Sequence, residues 1–138
     1  MRNWLVHERR DSPNFNERLL PVTMIVLHYT GMESAGEAIE RLCDPVASVS
    51  AHYVIDEDGT VTQLVDEDKR AWHAGKSYWR GVTDVNSASV GIELVNPGHE
   101  FGYRVVGEVL VESFYSCHMS IYYFPVLKLS YEVQSPLS

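Results

Sequence analysis

Cysteine is scarce in this sequence, which has only Cys43 and Cys117 among its 138 residues. Two cysteines do not make the disulfide framework on which small secreted domains depend, and we interpret both as free thiols in a reducing compartment. A single bridge between them is the alternative. A chain of this length buries roughly two thirds of its unfolded surface, so it suits one domain that needs no disulfides.

Positive charge is also scarce. Lys and Arg number 11 against 19 Asp and Glu, which gives a formal net charge of −8. Nucleic-acid binding needs clustered cationic side chains, so we exclude nucleic acid as a partner. Long apolar runs are missing as well: Trp4-Leu5-Val6 is too short for a signal peptide, and no stretch has the length of a membrane span. We therefore expect a cytoplasmic protein with no membrane partner.

The most informative stretch is the strand predicted over residues 24–30, which read Met-Ile-Val-Leu-His-Tyr-Thr. Its first four residues are apolar, a pattern typical of a strand buried on both faces. The strand reaches His28 shortly before Gly31, which would hold the imidazole rigidly at the rim of a sheet, where catalytic groups are common. His28 is either such a group or a polar cap hydrogen-bonded to nearby backbone.

The segments on either side of this strand have simpler signatures. Residues 1–21 predict an irregular arm that wraps the surface and is anchored by Phe15 and Leu19. A Ser-x-x-Glu capping box that begins at Ser34 predicts a short amphipathic helix over residues 34–43.

A hairpin is predicted next. Residues 50–55 and 60–65 read as two strands, joined by a turn with a glycine at residue 59. His52 would lie in the middle of the first strand, where a histidine is more often a hydrogen-bonded structural group than a ligand.

The long loop predicted over residues 66–85 carries Trp72, His73 and Trp79. Aromatic rings stack on sugars and an imidazole can hydrogen-bond a carbonyl, so the loop is a candidate binding element. The alternative for the tryptophans is that they only pin the loop to the core.

A further strand, predicted over residues 90–96, has Glu93 in its middle. A carboxylate among apolar neighbours has a raised pKa that suits a general base, whereas on an edge strand it would simply face water.

These elements resemble the zinc-dependent N-acetylmuramoyl-L-alanine amidases, and among them the AmpD-like branch, which is related in fold to the peptidoglycan-recognition proteins. Four motifs in the same order carry the resemblance. They are Ile25-Val26-Leu27-His28-Tyr29-Thr30-Gly31, Val49-Ser50-Ala51-His52-Tyr53-Val54-Ile55, Lys69-Arg70-Ala71-Trp72-His73-Ala74-Gly75 and Asn86-Ser87-Ala88-Ser89-Val90-Gly91-Ile92-Glu93.

The resemblance implies an α/β fold, with a mixed β-sheet flanked by helices and a zinc ion at one end of the sheet. It implies His28 as a zinc ligand and Glu93 as the catalytic acid/base. The residues expected to bind substrate are His73, Trp72, Tyr29 and Asn86. The implied reaction hydrolyses the amide between N-acetylmuramic acid and the L-alanine of a peptidoglycan fragment, with zinc activating the water.

The C-terminal part departs from the family. The family's other two zinc ligands belong to a segment of the form His-x-Asp-x-Ala-Pro-Gly, which this sequence lacks. We therefore divide the chain into an amidase-like domain at residues 1–104 and an atypical tail at residues 105–138. The tail either replaces the family's C-terminal helix and ligand segment through truncation or a frame change, or has truly diverged. Its start has helical spacing but β-branched content, so helix and strand both stay open.

Because His28 alone cannot retain zinc, three interpretations remain. The chain is an amidase, a zinc-free module that binds muropeptides, or a truncated fragment without function. The sequence indicates no oligomeric state.

Overall fold

The computed structural model describes residues 6–98 completely, together with the backbone of the strands at 105–106, 109–110 and 119–123. The described strands are β1 Glu8–Arg9, β2 Phe15–Glu17, β3 Met24–Tyr29, β4 Tyr53–Ile55, β5 Val61–Gln63, β6 Lys69–Ala71, β7 Ser89–Leu94, β8 Val105–Val106, β9 Val109–Leu110 and β10 Met119–Tyr123. The helices are α1 Ala35–Cys43 and α2 Val85–Ala88.

A mixed six-stranded sheet forms the centre of the molecule, in the order β1-β5-β4-β7-β3-β10. β7 runs parallel to both β3 and β4, while β5 is antiparallel to β4 and β10 is antiparallel to β3. Two small two-stranded sheets, β2-β6 and β8-β9, complete the set of described strands. The prediction of an α/β fold with a mixed sheet flanked by helices is confirmed.

The predicted helix is confirmed as α1. Ser34 is its N-cap, and the Ser34 side chain accepts a hydrogen bond from the backbone N–H of Glu37, as the capping box requires. Leu42 on its buried face packs with Val54 and Leu64 of the hairpin region in one apolar cluster. The helix thereby covers one face of the sheet.

Strand β3 is confirmed, but the expectation that it is buried on both faces is only half right. Met24 and Val26 are completely buried and pack with Trp79, whereas Ile25 and Leu27 are partly buried. The alternation arises because successive side chains of a strand point to opposite faces of the sheet.

The arm is more regular than predicted, and its anchors are different. It contributes β1, which pairs with β5, and β2, which pairs with β6. Phe15 is 42% exposed and Leu19 is 78% exposed, so the prediction that they anchor the arm is wrong. Buried polar groups hold it instead: the Ser12 hydroxyl donates to the Leu42 carbonyl, and the Asn14 amide donates to two backbone carbonyls.

The hairpin is confirmed with shorter strands than predicted, and Gly59 adopts a φ of +87° in its turn. The long loop contains the short strand β6, which the sequence analysis did not anticipate.

Beyond residue 104, β8 pairs with β9 in antiparallel fashion, so strand is the correct alternative for these four residues. The boundary at residue 104 stays a prediction, and Cys117 and His118 lie outside the described residues. Among the described residues, no helix has the length and apolarity that a membrane crossing requires.

Candidate active site

The candidate site is an open pocket of about 180 Å³ at the end of β3 and β7. Four of the six predicted site residues line it, and they come from three separate parts of the chain. The lining residues are Tyr29, Thr30, Met32, Ala38, Arg41, Leu42, Val49, Ser50, Trp72, His73 and Glu93. The tertiary structure therefore brings the predicted carboxylate together with the aromatic side chains.

His28 and Glu93 are direct partners in the parallel pairing of β3 with β7. Paired residues on neighbouring strands project from the same face of a sheet, so both side chains point toward the same side. His28 itself is buried, with 9% of its surface exposed. The sequence placed these two residues 65 positions apart, and only the strand register makes them neighbours.

Glu93 has the environment expected of a general acid/base. Burial raises its pKa to about 7, because the charged carboxylate loses its hydration. Its Oε2 atom is buried and has no hydrogen-bond partner among the described residues. A carboxyl group that titrates near neutral pH can both accept a proton and return it.

His73 lies at the centre of a hydrogen-bond network. Its Nδ1 is 3.0 Å from Nε2 of His28, and its Nε2 is 3.1 Å from Oγ of Ser89. Burial, reinforced by the neighbouring His28 and His52, holds the pKa of His73 well below its usual value. The ring is therefore a neutral imidazole at physiological pH.

The packing of His73 explains the glycine of the Gly-Ile-Glu motif. A Cβ atom at Gly91 would lie only 2.3 Å from Cγ of His73. The imidazole therefore rests directly on the backbone of β7, between Ser89 and Glu93, which project from the same face of that strand. Sequence patterns assigned Ser89 and Gly91 no role beyond their place in a motif, although a glycine inside a strand is a known signal of close approach.

Asn86 has a different place from the one predicted for it. It is 95% buried, does not line the pocket, and its Oδ1 accepts hydrogen bonds from the backbone N–H groups of His73 and Ala74. The structure thus gives Asn86 a role in holding the loop and does not bring it to the pocket.

The two tryptophans of the loop have different positions, one in the core and one at the pocket. Trp79 is 3% exposed and packs against Met24 and Val85, so it pins the loop to the core. Trp72 lines the pocket, and its indole N–H donates to Asn16.

His52 is a satisfied structural group, as the sequence favoured, although it precedes β4 and does not lie within it. Its Nδ1 accepts from the N–H of Gly91, so its Nε2 carries the proton and donates to the carbonyl of Lys69. Burial lowers the pKa of His52 to about 4. The ring therefore joins the loop to β7 in its neutral form.

The described residues do not fit the zinc site that the resemblance implies. Among them, no three His, Cys, Asp or Glu side chains are placed to hold a metal ion. The imidazoles of His28 and His73 are directed at each other in a hydrogen bond. A hydrolytic zinc site needs three protein ligands, and His28 is the single ligand that the resemblance identifies.

The sequence model of the N-acetylmuramoyl-L-alanine amidase family matches residues 18–116 of this chain. The chain belongs to this family. Among curated proteins, this chain is similar to 1,6-anhydro-N-acetylmuramyl-L-alanine amidase AmpD of Escherichia coli (strain K12), with 39% identity over 111 residues, 66% of this chain and 61% of AmpD.

Two solved structures extend the comparison of this chain with its relatives. A selenomethionine AmpD derivative superposes with a TM-score of 0.57 at 34% identity, covering 64% of this chain and 60% of that one. The amidase AmiD from E. coli, in complex with the substrate anhydro-N-acetylmuramic acid-L-Ala-D-γ-Glu-L-Lys, gives 0.51 at 36% identity, covering 60% and 35%. The chain spans 61% of the curated AmpD sequence and 29% of the curated AmiD sequence.

Proposed function

We propose that this chain is an N-acetylmuramoyl-L-alanine amidase, which hydrolyses the amide between the lactyl group of N-acetylmuramic acid and L-alanine. The observation that carries the proposal is Glu93, which lines the pocket, has a pKa raised to about 7 and pairs with His28 on the neighbouring strand. Family membership and the substrates named for AmpD and AmiD support the same reaction.

In this proposal Glu93 takes a proton from the attacking water and passes it to the leaving amine of L-alanine. A single proton carrier serves both steps, because the group has a pKa near the working pH. Trp72 and Tyr29 present aromatic surface at the pocket, which suits contact with the sugar or the lactyl group. Zinc dependence stays a prediction, because the described residues do not complete the zinc site.

The proposed partner is a peptidoglycan fragment. The name of AmpD specifies the 1,6-anhydro form of the muramyl group, and the AmiD structure is a complex with an anhydro-N-acetylmuramic acid peptide, so an anhydro-muropeptide is the first substrate to test. The cytoplasm, where such fragments would be recycled, stays the predicted location.

A zinc-free muropeptide-binding protein is the second candidate function. The observation that favours it is the lack of three convergent metal ligands among the described residues. Such a protein would keep the pocket and its aromatic side chains while leaving the amide intact.

One experiment separates the candidates. The purified chain is analysed for zinc by mass spectrometry, incubated with an anhydro-muropeptide with and without added zinc, and titrated calorimetrically with the same compound. Release of a peptide that begins with L-alanine supports the amidase. Binding without cleavage at every zinc concentration supports the binding protein, and neither binding nor cleavage contradicts both.

Two variants make the assay specific for the site. Glu93→Gln removes the proton carrier and should lower the cleavage rate by about 100-fold or more while the muropeptide still binds. Glu40→Gln makes the same chemical change on the exposed side of α1 and should leave the rate unchanged. Equal rates for the two variants would contradict the role of Glu93.

A further inference from the structure

Helix α1 forms one wall of the pocket and carries a cation at its rim. Ala38, Arg41 and Leu42 line the pocket, and residues three and four positions apart share one face of a helix. Ala38 and Leu42 are buried, whereas Arg41 is exposed. The guanidinium of Arg41 is therefore carried by the solvent-facing rim of that wall, where a bound ligand can reach it.

This guanidinium has no acidic partner within the part of the chain that the structure describes. Arg70, for comparison, pairs with Asp84 at 2.9 Å. Arg41 forms no such ion pair, although Glu37 lies one turn before it and Asp44 three residues after it. It is also the one Lys or Arg among the described residues that line the pocket. Its N–H donors are thus available to a ligand.

The chemistry of a guanidinium selects an anionic ligand group. Its N–H donors form a planar fork that matches the two oxygens of a carboxylate, and the resulting pair is commonly bidentate. The chain has a net charge of −8, so an anion is repelled by the protein as a whole and attracted by this local positive charge. We therefore expect a carboxylate of the ligand at this rim of the pocket.

The muropeptide bound in the AmiD complex carries a suitable group. In its peptide, L-Ala-D-γ-Glu-L-Lys, the glutamate is joined through its γ-carboxyl group, which leaves its α-carboxylate free. This glutamate directly follows the L-alanine whose amide is cut in the proposed reaction. An extended chain advances by about 3.3 to 3.6 Å per residue, so the free carboxylate stays close to the point of cleavage.

We propose that Arg41 is a specificity-determining residue that pairs with the free α-carboxylate of the D-γ-glutamyl residue of a muropeptide. The proposal rests on the proposed function, because it takes a muropeptide as the ligand. It assigns Arg41 to the selection of the ligand and to no step of proton transfer.

A second effect of Arg41 must be separated from this pairing. The residue lies in the last turn of α1, where a cation also compensates the partial negative charge at the C-terminus of a helix. That effect changes the stability of the helix and is the same for every ligand. Comparing two ligands on one protein therefore isolates the pairing.

The test uses two ligands that differ at one group. The first is anhydro-N-acetylmuramic acid-L-Ala-D-γ-Glu-L-Lys, and the second has a carboxamide in place of the α-carboxylate of its glutamate. Both are titrated calorimetrically into the full chain carrying Glu93→Gln, so that the ligand is bound without being cleaved. We expect the carboxylate ligand to bind about 3- to 10-fold more tightly, with a preference that decreases as the salt concentration rises.

Three variants in the same background assign this preference. Arg41→Gln should bind the two ligands equally, and the helix should persist because glutamine and arginine have similar helix propensities. Arg41→Lys should keep part of the preference, since it keeps the charge and loses the planar fork. Arg10→Gln is the matched control, because Arg10 is exposed and does not line the pocket, and it should keep the full preference.

Each other outcome has a defined meaning. Equal affinities for the two ligands while Arg41 is present would overturn the proposal, and so would a preference that survives in Arg41→Gln or is lost in Arg10→Gln. Equal weakening of both ligands by Arg41→Gln would also overturn it, because the guanidinium would then contact a group that both ligands share.

The proposed function fails in a different way. If the protein with Glu93 intact does not cleave the muropeptide but the carboxylate preference is present and depends on Arg41, the amidase activity is contradicted and the role of Arg41 stands. If that protein cleaves the muropeptide but the preference is missing, the amidase activity stands and the role of Arg41 is overturned. Binding of neither ligand would overturn both.

Discussion

Gly91→Ala is the sharpest single test of the site geometry, because the sign of its effect depends on where His73 lies. The φ angle of Gly91 is not positive, so alanine is compatible with the backbone at this position. Replacing a strand glycine by alanine in open space should stabilise the fold by about 0.5 to 1 kcal/mol, since the unfolded chain loses freedom. The ring of His73 reverses that expectation.

The new Cβ would lie 2.3 Å from Cγ, 2.4 Å from Cδ2 and 2.7 Å from Nδ1 of His73. Contacts below 3.0 Å require the ring to move, and the backbone of its loop is held by Asn86. Forcing an extra carbon into a packed site costs about 1 to 3 kcal/mol. Moving the ring also breaks its hydrogen bonds to His28 and Ser89, at about 0.5 to 1.5 kcal/mol each. We expect Gly91→Ala to lower the free energy of unfolding by about 2 to 6 kcal/mol.

The measurement is the free energy of unfolding in urea, compared between Gly91→Ala and Gly36→Ala. Gly36 lies in α1, where a new Cβ has no neighbour closer than 4.0 Å, so this control should stabilise the protein by about 1 kcal/mol. Combining Gly91→Ala with His73→Ala should remove most of the clash. If the two single glycine variants have the same stability, the ring of His73 does not rest on Gly91.

Three further predictions concern stability. Glu93 has a raised pKa, so the folded state binds a proton more tightly than the unfolded state, and ionisation destabilises the fold as the pH rises from about 4.5 to about 7. In urea unfolding, Glu93→Gln should therefore gain stability relative to the wild type between about pH 5 and pH 8. A stability difference that does not depend on pH would contradict a buried carboxyl group. Asn86→Ala leaves two loop N–H groups without their acceptor and should lower the free energy of unfolding by about 1 to 3 kcal/mol in the same assay. Hydrogen exchange of the amides of residues 73 and 74 should become faster. Unchanged exchange would contradict the role of Asn86 in holding the loop. Arg18→Met removes a guanidinium that donates to the carbonyls of Ser87, Ser89 and Lys69, and should lower the free energy of unfolding by about 3 kcal/mol or more. A melting temperature equal to that of the wild type would show that these hydrogen bonds do not stabilise the fold.

The sequence by itself determined the elements whose pattern is local. The apolar run before His28 specified β3, the capping box at Ser34 specified the start of α1, and the glycine turn specified the β4–β5 hairpin. Each of these rests on a periodicity or a turn requirement that a few neighbouring residues carry. The short edge strands β1, β2 and β6 were missed, because two or three residues do not show a period.

The tertiary structure decided which of the candidate residues meet. His28 and Glu93 adjoin only because β3 and β7 pair in parallel with one register, and a shift of one residue would place them on opposite faces. It also separated Trp72 at the pocket from Trp79 in the core, and placed Asn86 behind the loop. The contact of His73 with Gly91 and Ser89 joins segments 16 to 18 residues apart in the chain, and nothing in either segment alone specifies a distance between them. Local patterns give the types of element and the candidate chemistry, whereas long-range packing alone fixes the distances on which that chemistry depends.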